Sequence, residues 1–146
     1  MEKTVLLLNG PNLNLLGTRE PEVYGHTTLK EIEQHINGFF LAHQIQCQTY
    51  QSNVEGEMIN WLHAHRTADF LIINPGGYTH TSIALRDAIL GIAVPCVEIH
   101  ISNIFKRESF RHHSYISDIA VGCVMGLGVY GYELAAQYAL KHLQSA

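Results

Sequence analysis

Apolar and polar positions fall into blocks along the chain, and the blocks are of two kinds. Val5-Leu6-Leu7-Leu8 and Phe70-Leu71-Ile72-Ile73 are unbroken apolar runs closed by polar residues. Short runs of this kind predict strands covered on both faces, as in a parallel sheet. Residues 45–51 are more polar and predict a strand near an edge, while 94–101 and 119–124 contain a fourth and a fifth strand. Between them the apolar period changes from two to that of a helix. Ile32, Ile36, Phe39 and Phe40 line one face of a helix that starts at residue 27 or 28 and runs to about 43, with Thr28 and Glu31 spaced for a capping box. Met58, Ile59, Leu62 and Trp61 mark the inner side of a helix over 55–65. Helices over 82–90 and 130–143 complete the pattern, the last with Leu134, Tyr138 and Leu143 as its apolar positions.

Five strands alternating with helices predict an α/β domain spanning residues 1–146, with no linker or repeat. The expected architecture is a flavodoxin-like, doubly wound, five-stranded parallel sheet in the order 2-1-3-4-5, with helices on both faces. Ligands of such sheets bind outside the carboxyl ends of the strands, near the point where the strand order reverses.

Composition narrows the function classes. The 146 residues are 47% hydrophobic and 15% charged with a formal net charge of -4, which fits a globular protein and not a basic nucleic-acid binder. Four apolar residues at the N-terminus are too few for a signal peptide or a membrane span, so the expected location is cytoplasmic with no membrane partner. Cys47, Cys96 and Cys123 are widely spaced and odd in number, and are expected to be buried free thiols. The closest pairs among the ten histidines, His63 with His65 and His112 with His113, do not share a helix face, so no metal site is expected.

Three polar clusters stand directly after the apolar strands 1, 3 and 4. The first is Asn9-Gly10-Pro11-Asn12-Leu13-Asn14, leading to Arg19-Glu20-Pro21 and Tyr24-Gly25. It belongs to a loop over 9–26 that is long for a compact domain, as functional loops and lids are. The second is Asn74-Pro75-Gly76-Gly77-Tyr78-Thr79-His80-Thr81-Ser82, and the third is Glu98-Ile99-His100-Ile101-Ser102-Asn103, followed by Arg111-His112-His113-Ser114. In the expected fold all three meet at one rim. Glu98 and His100, two apart on a strand, share a face, so the carboxylate can fix the imidazole tautomer and favour its protonated form. Taken alone, the pair reads more readily as a solvated pair at a strand end. Tyr24 has an ordinary pKa near 10, too high for an efficient base at neutral pH, and Arg19 or Arg111 close by would lower it. Gly76-Gly77 could bring backbone N–H groups to an anion. There is no GxxxxGK[ST] or GxSxG, so Ser82 and Ser102 read as capping or binding hydroxyls and not as nucleophiles.

At these clusters the chain resembles type II 3-dehydroquinate dehydratase. The matching stretches run from Asn9-Gly-Pro-Asn-Leu-Asn-Leu-Leu-Gly-Thr-Arg-Glu-Pro to Tyr24-Gly25, through Asn74-Pro-Gly-Gly-Tyr-Thr-His-Thr-Ser and Glu98-Ile-His-Ile-Ser-Asn. Phe110-Arg-His-His-Ser-Tyr and Gly126-Leu-Gly-x-x-Gly-Tyr follow in the family's order, and the likeness spans essentially the whole chain. The resemblance implies reversible loss of water from 3-dehydroquinate to give 3-dehydroshikimate, by anti elimination through an enolate, with no cofactor, metal or covalent adduct. It fits either the shikimate pathway of aromatic amino acid biosynthesis or quinate breakdown. It implies Tyr24 as the base at C2, tuned by Arg19, and His100 as the acid at the C1 hydroxyl, oriented by Glu98. Asn12 would hold a water that stabilises the enolate. Asn74, Ser102 and the Ile101 backbone N–H would bind substrate, His80 and Arg111 its ring hydroxyls, and Asp87 would reach a neighbouring subunit's site. A homododecamer, a tetramer of trimers, is the implied assembly. Two other classes compete: a non-catalytic nucleotide- or flavin-binding module, against which the surplus of acid–base groups counts, and a scaffold that lost catalysis, against which the presence of Arg19, Tyr24 and His100 counts.

Overall fold

The computed structural model describes residues 2–18 and 20–145, apart from the side chains of Val23 and Tyr24. Five strands, β1 (Thr4–Asn9), β2 (Gln46–Gln51), β3 (Phe70–Asn74), β4 (Cys96–His100) and β5 (Gly122–Met125), form one sheet in the order β2-β1-β3-β4-β5. Every neighbouring pair is parallel, as the apolar runs predict. Between and after the strands lie α1 (Pro21–Tyr24), α2 (Leu29–Leu41), α3 (Glu55–Ala64), α4 (Ile83–Ile92) and α5 (Tyr130–Gln144).

The period of two along each strand splits the core in half. Val5, Leu7, Phe70, Ile72, Val97 and Ile99 face a layer made by α2 and α5. Leu6, Leu8, Leu71, Ile73 and Cys96 face the layer made by α3 and α4. Glu98 and His100 continue the Cys96 side of β4, so they point toward the α3/α4 layer.

The helix ends follow local chemistry. Thr28 and Glu31 form the predicted capping box at α2, each bonding the other's backbone N–H. Ser82 caps α4 by accepting from Leu85 N, which settles its role as a capping hydroxyl. Ala93 ends α4 in the left-handed conformation at φ 56°.

Four expectations change. The loop over 9–26 contains a 3-10 turn, Leu13–Leu15, and the one-turn helix α1, entered through Pro21 at its first position. The fifth strand begins at Gly122 and not at Ile119, because the N–H groups of Ile119 and Ala120 both turn back to Ile116 O. The inner face of α5 is not Leu134 and Tyr138, the latter exposed, but Tyr132, Ala135, Ala136, Ala139 and Leu143. Small residues there let the helix lie close to the sheet. All three cysteines are free, but of the three only Cys96 is buried: Cys47 is half-buried and Cys123 exposed, on the edge strands β2 and β5. Among the described residues no helix is long and apolar enough to cross a membrane.

Candidate active site

The ends of β1, β3 and β4 meet around a cavity of about 270 Å³. Asn12, Asn74, His80, His100, Ile101, Ser102 and Arg111 all line it, so the three polar clusters do converge. Glu98 lies behind them, fully buried, and Asp87 is exposed on α4 and does not line the cavity. Arg19 and the side chain of Tyr24 fall outside the described residues.

Close backbone packing builds the floor. Asn9 and Asn74 are register partners at the ends of β1 and β3, and Gly10 N bonds Asn74 O at 2.8 Å. A Cβ on Gly10 would lie 2.3 Å from Pro75 O, so only glycine permits this contact. Gly76, at φ 60°, donates its N–H to Asn74 Oδ1 at 3.1 Å and so turns the second loop over the first. Asn12 sits in the left-handed region at φ 69°, and its N–H is held by Asn53 Oδ1 at 2.9 Å.

Glu98 is 0% exposed and His100 6%, which excludes a solvated pair at a strand end. Glu98 Oε2 meets His100 Nε2 at 2.5 Å and accepts from Thr79 Oγ1 at 2.5 Å. Ser114 Oγ reaches both carboxylate oxygens, at 3.2 and 2.9 Å, and Ser117 Oγ donates to Oε1. Burial pushes the Glu98 carboxyl upward, but the hydrogen bond and charge of His100, together with the Ser117 and Thr79 hydroxyls, outweigh it and hold the pKa at about 2. Glu98 is therefore an anion that only accepts, which assigns the proton to His100 Nε2 and leaves Nδ1 for other chemistry. No hydrogen bond among the described residues engages Nδ1.

His80 stands beside His100, ring centroids 6.3 Å apart. Its Nδ1 donates to His113 O at 2.8 Å, which leaves Nε2 as an acceptor. Burial lowers the His80 pKa, and the charges of His100 and Arg111 lower it further against the opposing bond to His113. His80 is thus a neutral ring of fixed tautomer. Arg111 Nε bonds Glu108 at 3.1 Å, and Arg107 Nη1 donates to Ser102 Oγ at 3.3 Å. Arg107 also lines the cavity, which adds a second guanidinium to that wall. None of the four lysines lines it.

Sequence reading assigned no role to Thr79, Ser117 or Arg107, and none to Asn53. Serine and threonine carry no spacing signal, and these donors come from segments far apart in the chain. Among the described residues no three His, Cys, Asp or Glu side chains gather closely enough to hold a metal ion.

Comparison with known proteins agrees along the whole chain. Residues 3–140 match the family model described as dehydroquinase class II. The catabolic 3-dehydroquinase of Emericella nidulans is 55% identical over 139 residues, covering 94% of this chain and 91% of the relative. The 3-dehydroquinate dehydratase of Proteus mirabilis is 56% identical over 140 residues, covering 95% of each. Among solved structures, the type II dehydroquinase from Propionibacterium acnes superposes with a TM-score of 0.87 at 41% identity, covering 96% of this chain and 98% of that one. The one from Butyrivibrio crossotus gives 0.91 at 37% identity, covering 95% and 98%. With family match, close relatives, sheet order and a cavity at the strand ends all in agreement, the chain belongs to the class II dehydroquinases, a family of hydro-lyases.

Proposed function

We propose that this chain acts as one catalytic domain, in the cytoplasm, converting 3-dehydroquinate reversibly to 3-dehydroshikimate by anti elimination through an enolate. Tyr24, with Arg19 favouring its ionised form, takes a proton from C2, and the electron pair moves onto the C3 ketone oxygen as an enolate. A water held by Asn12 stabilises that oxyanion. The enolate then collapses, the C1–C2 double bond forms, and the C1 hydroxyl leaves as water with a proton from His100.

The observation that carries this reading is the buried Glu98–His100 pair at the cavity wall. With Nε2–H committed to Glu98, Nδ1 is the nitrogen able to give a proton and later recover it. The Glu98 carboxylate fixes the ring orientation and tautomer that a general acid at Nδ1 needs. The other side chains suit a hydroxylated acid. Arg107, Arg111 and Ser102 offer donors to the substrate carboxylate and ring hydroxyls, with Asn74 and the Ile101 backbone N–H. The neutral His80 accepts from a ring hydroxyl through Nε2. No Schiff base is expected, since no lysine reaches the cavity. Asp87 acts in a neighbouring copy's site within a homododecamer.

The test follows the ultraviolet absorbance of the conjugated product when protein is added to 3-dehydroquinate in chelator-treated buffer. Tyr24→Phe and His100→Ala are each expected to lose roughly 10²–10⁴-fold in kcat while keeping the wild-type circular dichroism. No absorbance rise from folded wild-type protein sinks the substrate assignment. Near-wild-type turnover in either variant sinks that residue's role.

A further inference from the structure

The motif Gly126-Leu-Gly-x-x-Gly-Tyr has no part in the acid–base scheme, yet it carries a side chain to the cavity floor. Gly126 and Gly128 turn the chain at φ 88° and 63°, and a Cβ on Gly131 would lie 3.3 Å from Val124 Cγ1. Those turns and that close approach set Tyr132, 1% exposed, beneath the ends of β1 and β3. There its hydroxyl lies between two buried carboxamides. Asn74 Nδ2 donates to Tyr132 OH at 2.9 Å, and Tyr132 OH donates to Asn9 Oδ1 at 2.6 Å.

The direction of this chain of bonds is not arbitrary. The Gly76 backbone N–H can only donate, so the Asn74 atom it meets is the oxygen. Asn74 therefore turns Nδ2 toward Tyr132, whose oxygen must accept, and the phenol hydrogen must point away, to Asn9. Burial pushes the Tyr132 phenol pKa up, with the Glu33 charge adding to this against the Asn74 bond, so the hydrogen stays on. With Oδ1 given to Gly76 and one Nδ2 hydrogen given to Tyr132, the second Nδ2 hydrogen is the donor Asn74 has left for the cavity it lines.

The geometry points to Tyr132 as a positioning residue of the active site: its phenol, anchored by Asn9, holds the Asn74 carboxamide so that it offers an N–H to a substrate oxygen. This rests on the dehydration of 3-dehydroquinate as the reaction.

Asn9 provides a clean probe. Its Oδ1 takes the phenol hydrogen, but its buried Nδ2 has no hydrogen-bond partner among the described residues. Asn9→Leu removes the anchor together with that unpaired group but leaves the buried Tyr132 O–H without an acceptor, so its thermal midpoint should fall while the protein stays folded and catalysis suffers. Steady-state kinetics and thermal midpoints would be measured for wild type, Tyr132→Phe, Asn9→Leu, Asn74→Ala and the doubles of the first two with Asn74→Ala. Tyr132→Phe and Asn9→Leu are each expected to lower kcat/KM about ten- to a hundredfold. Neither should lower it further once Asn74 is alanine. The same loss in the Asn74→Ala background, or wild-type kcat/KM in Asn9→Leu, overturns the proposal and leaves Tyr132 a packing residue. If Tyr132→Phe does not fold, the Asn9→Leu pair decides alone. Wild-type protein that does not turn over 3-dehydroquinate refutes the reaction itself, a separate outcome visible before any variant is made.

Discussion

Glu98 shows how much one buried side chain demands of its surroundings. A carboxylate withdrawn from water is costly unless its oxygens are fully engaged. Here the engagement comes from His100, Thr79, Ser114 and Ser117. Because its folded-state pKa of about 2 lies below the ordinary 4.5, Glu98 stabilises the fold above about pH 4.5. That contribution is lost as pH falls from there toward 2. Thr79→Val and Ser117→Ala each remove a donor to the charge, at a cost of about 1.5–3 kcal/mol at neutral pH. Both raise the Glu98 pKa and so move the acid-unfolding midpoint to higher pH, while Thr79→Ser restores it. Circular dichroism against pH checks this, and an unmoved midpoint in both variants would show that the hydroxyls do not hold the charge. The pairing of Glu98 with His100 was legible from their spacing of two on a strand. The donors were not, since Thr79, Ser114 and Ser117 become neighbours only when two loops fold over one strand end.

Among the elements, those whose pattern repeats were the legible ones. The apolar runs of β1 and β3 and the helical stripe of α2 stood out because burial on a regular element imposes its period on the sequence. Elements set by single contacts did not stand out. The helix α1 is one turn held by Pro21, and the start of β5 depends on where the Ile116 turn releases the chain. The loops after β1 and β3 belong to this second kind, because one glycine decides how closely they approach. Gly10→Ala would drive a methyl group into the Pro75 carbonyl, so the Pro75–Gly76 turn must move. We expect a loss of about 1–3 kcal/mol in stability, as for overpacking elsewhere. A rise in KM should accompany it, because Asn74, Gly76 and Gly77 line the cavity. Denaturant titration and steady-state kinetics of this variant would show both effects. An unchanged KM would mean that the turn shifts without disturbing the site.

Across the whole molecule, the sheet buries both faces and the site occupies the rim where strand order reverses, leaving the outer helix faces to other uses. On α4, Ile83, Asp87 and Leu90 fall at i, i+4 and i+7 and all three are exposed, the two apolar side chains at 56% and 52%. A carboxylate flanked by uncovered apolar groups suits a residue that enters another copy's site. Leu90→Asp is expected to reduce both the assembled fraction in size-exclusion chromatography and the activity. Asp87→Ala should lower activity with the elution volume unchanged. Loss of assembly with full specific activity would mean that each copy carries a complete site of its own.

The edge position of β5 has a further consequence for handling the protein. Cys123 is exposed there with its sulfur 3.5 Å from Glu98 Oε1, and partial burial and that nearby negative charge both push the thiol pKa up. Burial carries Cys47 and Cys96 to about 12, with Glu33 and Glu98 respectively adding to it. Alkylation and peroxide attack proceed through the thiolate, so all three sulfurs should be sluggish at neutral pH. Iodoacetamide at pH 7 should leave activity intact over a period that consumes free cysteine, and rapid labelling would contradict this. The carboxylate that serves His100 thus also passivates the surface thiol, and the enzyme should store well in air without added reductant.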